Sequence, residues 1–174
     1  ELLAKPTGRS PGADDEFRKR LLVASARNAL QNKREDRALD LYDRAFGYGE
    51  FDAEVKLEFA DLLHHKGFYA RAEEYYEYLV KNIGNIPGAD DEFRKRLLVA
   101  SARNALQNKK EDRALDLYDL AFRYGEFDAG VKLEFADLLH KRGFHATADE
   151  YYEYLVKNIG NIPGADDEFR KRLL

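Results

Sequence analysis

The feature that most constrains this chain is an internal repeat. Pro-Gly-Ala-Asp-Asp-Glu-Phe-Arg-Lys-Arg-Leu-Leu begins at Pro11, at Pro87 and again at Pro163, a period of 76 residues. Residues 11–86 and 87–162 differ at nine of those 76 positions: Arg34/Lys110, Arg44/Leu120, Gly47/Arg123, Glu54/Gly130, His65/Lys141, Lys66/Arg142, Tyr69/His145, Arg71/Thr147 and Glu73/Asp149. Most of these exchange one surface-tolerant residue for another, and the apolar positions hardly change. Glu1, Leu3, Lys5 and Gly8 match Glu77, Leu79, Lys81 and Gly84. The chain therefore reads as the end of a degenerate preceding unit (1–10), a first full unit of two helical hairpins (11–86), a second (87–162), and the start of a third (163–174). Repetition on this scale builds structure by stacking, with each unit burying its apolar face against its neighbour.

Within a unit the apolar residues recur at helical spacing four times. The first pattern runs from about Asp14 to Asn32 through Leu21, Leu22, Ala26, Ala29 and Leu30, with Asp14 or Asp15 expected to cap its start. The second, from about Glu35 to Phe46, carries Ala38, Leu41, Tyr42, Ala45 and Phe46, and Gly47 and Gly49 suit its end. The third, from about Asp52 to Lys66, carries Val55, Phe59, Ala60, Leu62 and Leu63, with Gly67 at the position just past the helix. The fourth, from about Tyr69 to Asn82, carries Ala72, Tyr75, Tyr76, Leu79 and Val80, and Asn-Ile-Gly-Asn-Ile-Pro-Gly (82–88) makes the loop that restarts the cycle. No run alternates apolar and polar residues between turns, so the expected fold contains no strands. A charged fraction of 36% fits helices with solvated outer faces.

The stretch from Leu57 to Leu79 resembles a tetratricopeptide repeat. Ala60 and Leu63 supply the small and large apolar residues of its first helix, Gly67 the turn, and Ala72 and Tyr76 the small residue and following aromatic of its second. Ala26, Ala29, Ala38, Tyr42 and Ala45 fill the equivalent places one hairpin earlier, where Lys33 replaces the turn glycine. The next unit repeats both sets, at Ala102, Ala105, Ala114, Tyr118 and Ala121, then at Ala136, Leu139, Gly143, Ala148 and Tyr152. Ala26 to Ala60 is 34 residues, the family's length, whereas Ala60 to Ala102 is 42, so every second connection carries eight extra residues. The resemblance implies an all-α, right-handed α-solenoid of antiparallel helix hairpins. It also implies a binding scaffold in which the first helix of each hairpin lines a concave groove.

In the register that the resemblance supplies, the groove-facing candidates are Arg20, Val23, Arg27 and Gln31 in the first hairpin and Glu54, Glu58, Asp61 and His65 in the second. They are Arg96, Val99, Arg103 and Gln107 in the third and Gly130, Glu134, Asp137 and Lys141 in the fourth. Adjacent rows alternate basic and acidic. Two readings follow: a groove for a peptide carrying both charge signs, or neighbouring helices that neutralise one another. The Lys/Asn clamp of some family members is not visible, because Asn28 is out of register. Tyr75-Tyr76-Glu77-Tyr78, repeated at 151–154, is open to a ring-binding role as well as to core packing with one ring at the rim.

Other chemistries find little footing. There is no Cys, hence no disulfide, thiolate nucleophile or Cys-based zinc site. Net charge is −4, and the basic triplets Arg18-Lys19-Arg20 and Arg94-Lys95-Arg96 each follow Asp-Asp-Glu, so no nucleic-acid partner is expected. His64 and His65 project roughly 100° apart on a helix and do not aim at one metal. In the second unit His65 becomes Lys141 and Tyr69 becomes His145. Asp14, Asp15 and Glu16 precede no EF-hand spacing. No phosphate-binding loop, dinucleotide fingerprint or nucleophile elbow occurs, so no catalysis and no cofactor are expected. No apolar run reaches the roughly 18 residues of a membrane span.

Neither end of the array carries the polar capping helix that a solenoid terminus needs. The chain reads as an excerpt of a longer array, or as a subunit whose open ends meet head to tail through Leu2, Leu3, Phe169, Leu173 and Leu174. The sequence thus supports a non-catalytic scaffold for a protein or peptide ligand. Its alternative is a structural repeat, a homo-oligomer growing into a filament or surface array.

Overall fold

The structure, a computed structural model, describes residues 11–162 and Lys171. Among the described residues it is helical with no strand. The helices are α1 (Pro11–Gln31), α2 (Glu35–Phe46), α3 (Ala53–His65), α4 (Tyr69–Lys81), α5 (Asp91–Gln107), α6 (Glu111–Phe122), α7 (Ala129–Lys141) and α8 (His145–Asn158), with a single turn of 3-10 helix at Ile159–Asn161. Contacts divide the chain into two compact units, one ending at Leu79 and one beginning at Val80. This boundary falls seven residues before the sequence repeat restarts, because Val80 and Ile83 pack on the core of the second unit.

The helix starts and stops follow from local chemistry. The Asp52, Asp90 and Asp128 side chains accept hydrogen bonds from the backbone N–H of Val55, Phe93 and Val131, at 2.9, 2.7 and 2.9 Å. Each satisfies a donor that the first helical turn leaves unpaired. Asp14 does not do the same for α1. That helix starts earlier, at Pro11, and takes Asp14 into its first turn. Proline suits a first helical position because its missing N–H has no partner there. In the second unit Pro87 and Gly88 remain outside α5, with Gly88 at φ +74°, and Asp90 becomes the cap.

The turn inside each hairpin needs one residue of left-handed backbone. Gly67 and Gly143 supply it in the hairpins α3/α4 and α7/α8, at φ +81° and +85°. Where the family glycine is missing, Lys33 and Lys109 adopt the same conformation, at φ +57° and +59°. The return hydrogen bonds match as well: Arg34 N–H to Ala29 C=O and Phe68 N–H to Leu63 C=O, both 2.8 Å. A lysine there costs about 1–2 kcal/mol relative to ordinary helical backbone, so the turn is imposed by the packing of the helices it joins.

The core of the first unit runs through the small-residue positions. Ala26, Ala29, Ala38, Ala45, Ala60 and Ala72 are all buried, and the Tyr42 and Tyr76 rings fill the space between the helices that these alanines allow to approach. Leu57, Phe59 and Leu63 complete it from α3. In the second unit Leu98, Ala102, Ala105, Ala114, Tyr118, Ala121 and Phe135 form one cluster with Leu139 and Ala148.

Candidate functional site

The charge rows of the first helices are tied together in a fixed way. In the first unit Arg27 on α1 donates to Glu58 on α3 from both Nε and Nη2, at 2.9 and 2.8 Å. The Tyr42 hydroxyl donates to the same carboxylate at 2.7 Å. In the second unit Arg103 meets Glu134 at 2.9 Å twice, and the Tyr118 hydroxyl donates at 2.8 Å. The next acid along each row is held the same way, Asp61 by the Tyr76 hydroxyl at 2.7 Å and Asp137 by that of Tyr152 at 2.9 Å.

These networks shift the titration of their members in consistent directions. Hydrogen bonding to Glu58 and Glu134 raises the Arg27 and Arg103 pKa values above their ordinary range. Burial raises those of the Tyr42 and Tyr118 hydroxyls, and the adjacent carboxylates add to the rise. Burial likewise raises Tyr76, with Asp61 contributing. Each tyrosine is therefore a neutral donor that orients a carboxylate, and the Glu58 and Glu134 carboxylates in turn orient Arg27 and Arg103. The arginines are about half exposed, 48% and 47%. Pairs this exposed contribute about 0.2–1 kcal/mol. They define a surface more than they hold the fold.

The other groove candidates are placed as follows. Arg20 is exposed, 3.4 Å from Glu16 on its own helix. Arg96 lies 5.8 Å from the ring centre of Phe93. Val23 and Val99 are buried in the helix interfaces. Gln31, Gln107, Glu54 and Gly130 are exposed. His65 pairs with Glu35 at 3.1 Å, and Lys141 with Glu111. Leu2, Leu3, Phe169, Leu173 and Leu174 lie outside the described residues. Within the basic triplets Arg18, Lys19, Arg94 and Lys95 each sit within 3.6 Å of an acid one turn away.

A second cluster gathers Tyr75 and Tyr78 of the tyrosine run that the sequence left open between ring binding and core packing. Phe46, Phe59 and Tyr75 pack ring against ring, with centroids 4.8, 5.3 and 5.2 Å apart. The Lys56 stem is buried, and its ammonium sits 4.2 Å from the Tyr78 ring centre and 2.6 Å from Glu50. The second unit repeats the cluster with Phe122, Phe135 and Tyr151, and with Lys132 at 4.2 Å from Tyr154 and 2.7 Å from Glu126. Burial disfavours the Lys132 charge, but Glu126 and Tyr154 outweigh it and raise its pKa. The signal in the sequence was the recurrence of a lysine among apolar neighbours on the third helix, at 56 and 132.

The histidines take different partners in the two units. His64 packs on the Tyr69 ring at 5.3 Å, whereas His140 meets His145 with Nδ1 atoms 3.3 Å apart. Among the described residues no group of three or more His, Asp or Glu is arranged to hold a metal ion, and no helix is long and apolar enough to cross a membrane.

Helix hairpins joined by left-handed turns and packed through alanines define an all-α solenoid. The chain has a tetratricopeptide-like repeat fold. Its fold is that of the Pseudomonas aeruginosa protein PilF, at 21% identity over 78% of this chain and 59% of that one, with a TM-score of 0.64. MamA shares it at 14% identity over 80% of this chain and 72% of that one, with a TM-score of 0.65. YrrB, described as a TPR protein with an unusual peptide-binding site, shares it at 17% identity over 88% and 79%, with a TM-score of 0.64. At these identities the likeness is one of fold. No protein-family model matches the chain, and no curated protein matches it in sequence.

Proposed function

We propose that this chain is a non-catalytic scaffold that binds an extended segment of a partner protein along its first helices. The observation that carries the reading is the recurrence of one preorganised pair, Arg27–Glu58 and Arg103–Glu134, each braced by a buried tyrosine. A surface whose donors and acceptors are already fixed loses little side-chain entropy when a peptide adds to it. The half-exposed guanidinium groups of Arg27 and Arg103, with Glu58, Asp61, Glu134 and Asp137 in the same rows, suit the amide groups and mixed charges of a polypeptide. Arg20 and Arg96 extend the row, while Val23 and Val99 support it from beneath. The YrrB fold likeness, with that protein's peptide-binding site, points the same way. The ligand under this reading is protein rather than nucleic acid.

The test is a peptide selected by display on the full chain, then measured against the charge-swapped pair Arg103→Glu with Glu134→Arg. The swap keeps an internal ion pair and reverses the polarity offered outward. Loss of binding with helicity unchanged supports the groove. Undiminished binding places the peptide elsewhere and overturns it.

One observation favours a second reading, end-to-end assembly. Phe17 and Leu21 on α1 are 58% and 55% exposed, whereas the repeat-equivalent Phe93 and Leu97 on α5 are 9% and 0% exposed. The occupant proposed for this surface is a second copy of the chain, since the identical residues Phe93 and Leu97 are buried where they recur. Sedimentation from low to high micromolar concentration decides. Open-ended growth abolished by Leu21→Asp supports assembly, and a stable monomer throughout the range overturns it.

A further inference from the structure

The two aromatic clusters are alike in every ring and every acid, but not in their cation. In the first unit Arg71, from the first turn of α4, lies with its guanidinium 5.8 Å from the Phe59 ring centre and pairs with Asp43. The equivalent residue in the second unit is Thr147. There the space between α6, α7 and α8 is an open pocket of about 350 Å3, lined by Phe122, Tyr151, Tyr154, Glu126, Glu150, Lys132 and Thr147 itself. Resting on the peptide-scaffold reading above, we propose that this pocket binds an arginine side chain of the partner segment, in the place that the first unit fills with its own Arg71.

Two observations support the assignment. The ring geometry is conserved between the units, with Phe122–Phe135, Phe122–Tyr151 and Phe135–Tyr151 centroids at 5.2, 5.6 and 5.3 Å. A planar guanidinium stacks on such faces, and it gains more from them when water is displaced. The surrounding acids are conserved too. Burial first, then Asp119, Glu126 and Glu150, with Lys132 opposing, keep the Tyr151 hydroxyl protonated. Around Tyr75 the same three positions act, Asp43, Glu74 and Glu50, and there Arg71 is the opposing cation.

The second unit does contain a new arginine, Arg123 in place of Gly47, which donates to Asp119 at 2.8 Å. That pair lies along one exposed helix face and is weak, and Arg123 does not line the pocket. Of the charged groups that line the pocket, the two carboxylates Glu126 and Glu150 face one ammonium, Lys132, leaving one net negative charge for an incoming guanidinium. Arginine fits better than lysine because Lys132 already holds the position of a point-charge ammonium over Tyr154.

The experiment titrates the full chain with ethylguanidinium, and separately with ethylammonium, following backbone amide NMR shifts. The expected result is shifts at Thr147, Tyr151 and Tyr154 with the guanidinium, weaker ones with the ammonium, and none with the guanidinium in Thr147→Arg. Arg71→Thr should open the same site at Tyr75 and Tyr78. Absent shifts at the pocket, or shifts that persist in Thr147→Arg with Arg71→Thr creating nothing, overturn the proposal. A display-selected peptide separates this proposal from the scaffold itself. If the peptide loses about tenfold in affinity on Arg→Lys change or in Thr147→Arg, both stand. If it binds regardless of Thr147→Arg, the scaffold stands and the arginine site falls. If guanidinium shifts appear but no peptide is ever selected, the site stands and the scaffold reading falls.

Discussion

Leu21 and Leu97 occupy the same place in the repeat, and their neighbours from 11–33 and 87–109 are identical. Yet Leu21 is largely exposed while Leu97 is fully buried, and Phe17 and Phe93 differ in the same way. Asn28 is exposed and Asn104 is buried. At the other end Tyr76 is buried and Tyr152 only half-buried, and Val80 packs on a core while its equivalent Val156 is 39% exposed. Residue identity in this array specifies a face. Whether that face is core or surface differs between the two units, although the residues are the same.

The largest effect we expect tests that contrast directly. Leu97→Ala should cost about 2–5 kcal/mol, the range for a leucine removed from a packed core. Leu21→Ala should change stability by no more than about 0.5 kcal/mol, as surface substitutions do. Chemical denaturation at low protein concentration measures both. Equal costs would break the comparison and mean that the outer face of α1 is covered in solution. A Leu21→Ala cost that grows with protein concentration would identify a second copy as the cover.

The next effect should be the same in both units. Tyr42→Phe and Tyr118→Phe each remove a hydrogen bond to a carboxylate, for a loss of about 1.5–3 kcal/mol. A clear difference between them would show that the two networks are not equivalent despite their shared geometry. The same tyrosines set the alkaline limit of the fold. Their pKa values are raised in the folded state from the ordinary 10.0, chiefly by burial. The stability they contribute is fully present below about pH 10. It is lost as the pH rises from there towards the raised values, because the unfolded chain releases those protons first. In a spectrophotometric titration, Tyr42, Tyr76 and Tyr118 should ionise together with loss of helicity. Smooth ionisation of all tyrosines with helices intact would contradict their burial.

Much of this fold can be read from the chain. Helical spacing placed α2 at the residues observed and α3 and α4 within one residue at each end. The alanine and tyrosine positions of the resemblance are the core. Gly67 was legible because only a left-handed turn wants it, while Lys33 was not, since nothing local in a lysine announces φ +57°. The start of α1 was placed late because a capping aspartate and a proline at the first helical position compete, and the choice depends on what surrounds the helix. The alternating charge rows foreshadowed Arg27–Glu58. The tyrosine hydroxyls that brace them, and the Lys56–Tyr78 and Lys132–Tyr154 stacks, require knowing the rotation of one helix against another to within a residue. Periodicity supplies only the face. His140 and His145 meet for a similar reason: their separation in sequence says nothing about the turn that folds one back on the other.

The smallest effect concerns the nine differences themselves. Most of them reroute surface charge, whereas Leu120, in place of Arg44, packs against the core of the second unit. Arg71–Asp43 in the first unit gives way to Arg123–Asp119 in the second, Lys66–Asp36 to Arg142–Asp112, and His65–Glu35 to Lys141–Glu111. Placing the first unit's arrangement in the second, Arg123→Gly with Thr147→Arg, exchanges one exposed ion pair for another. It should leave stability within about 0.5 kcal/mol of the parent. A gain well beyond that would mean that Arg71 stabilises the first unit by filling its aromatic cluster, so that filling the open pocket is worth more than an exposed charge pair. A loss well beyond it would mean that Arg123 anchors the end of α6, and that the two units differ in structural support as well as in surface charge.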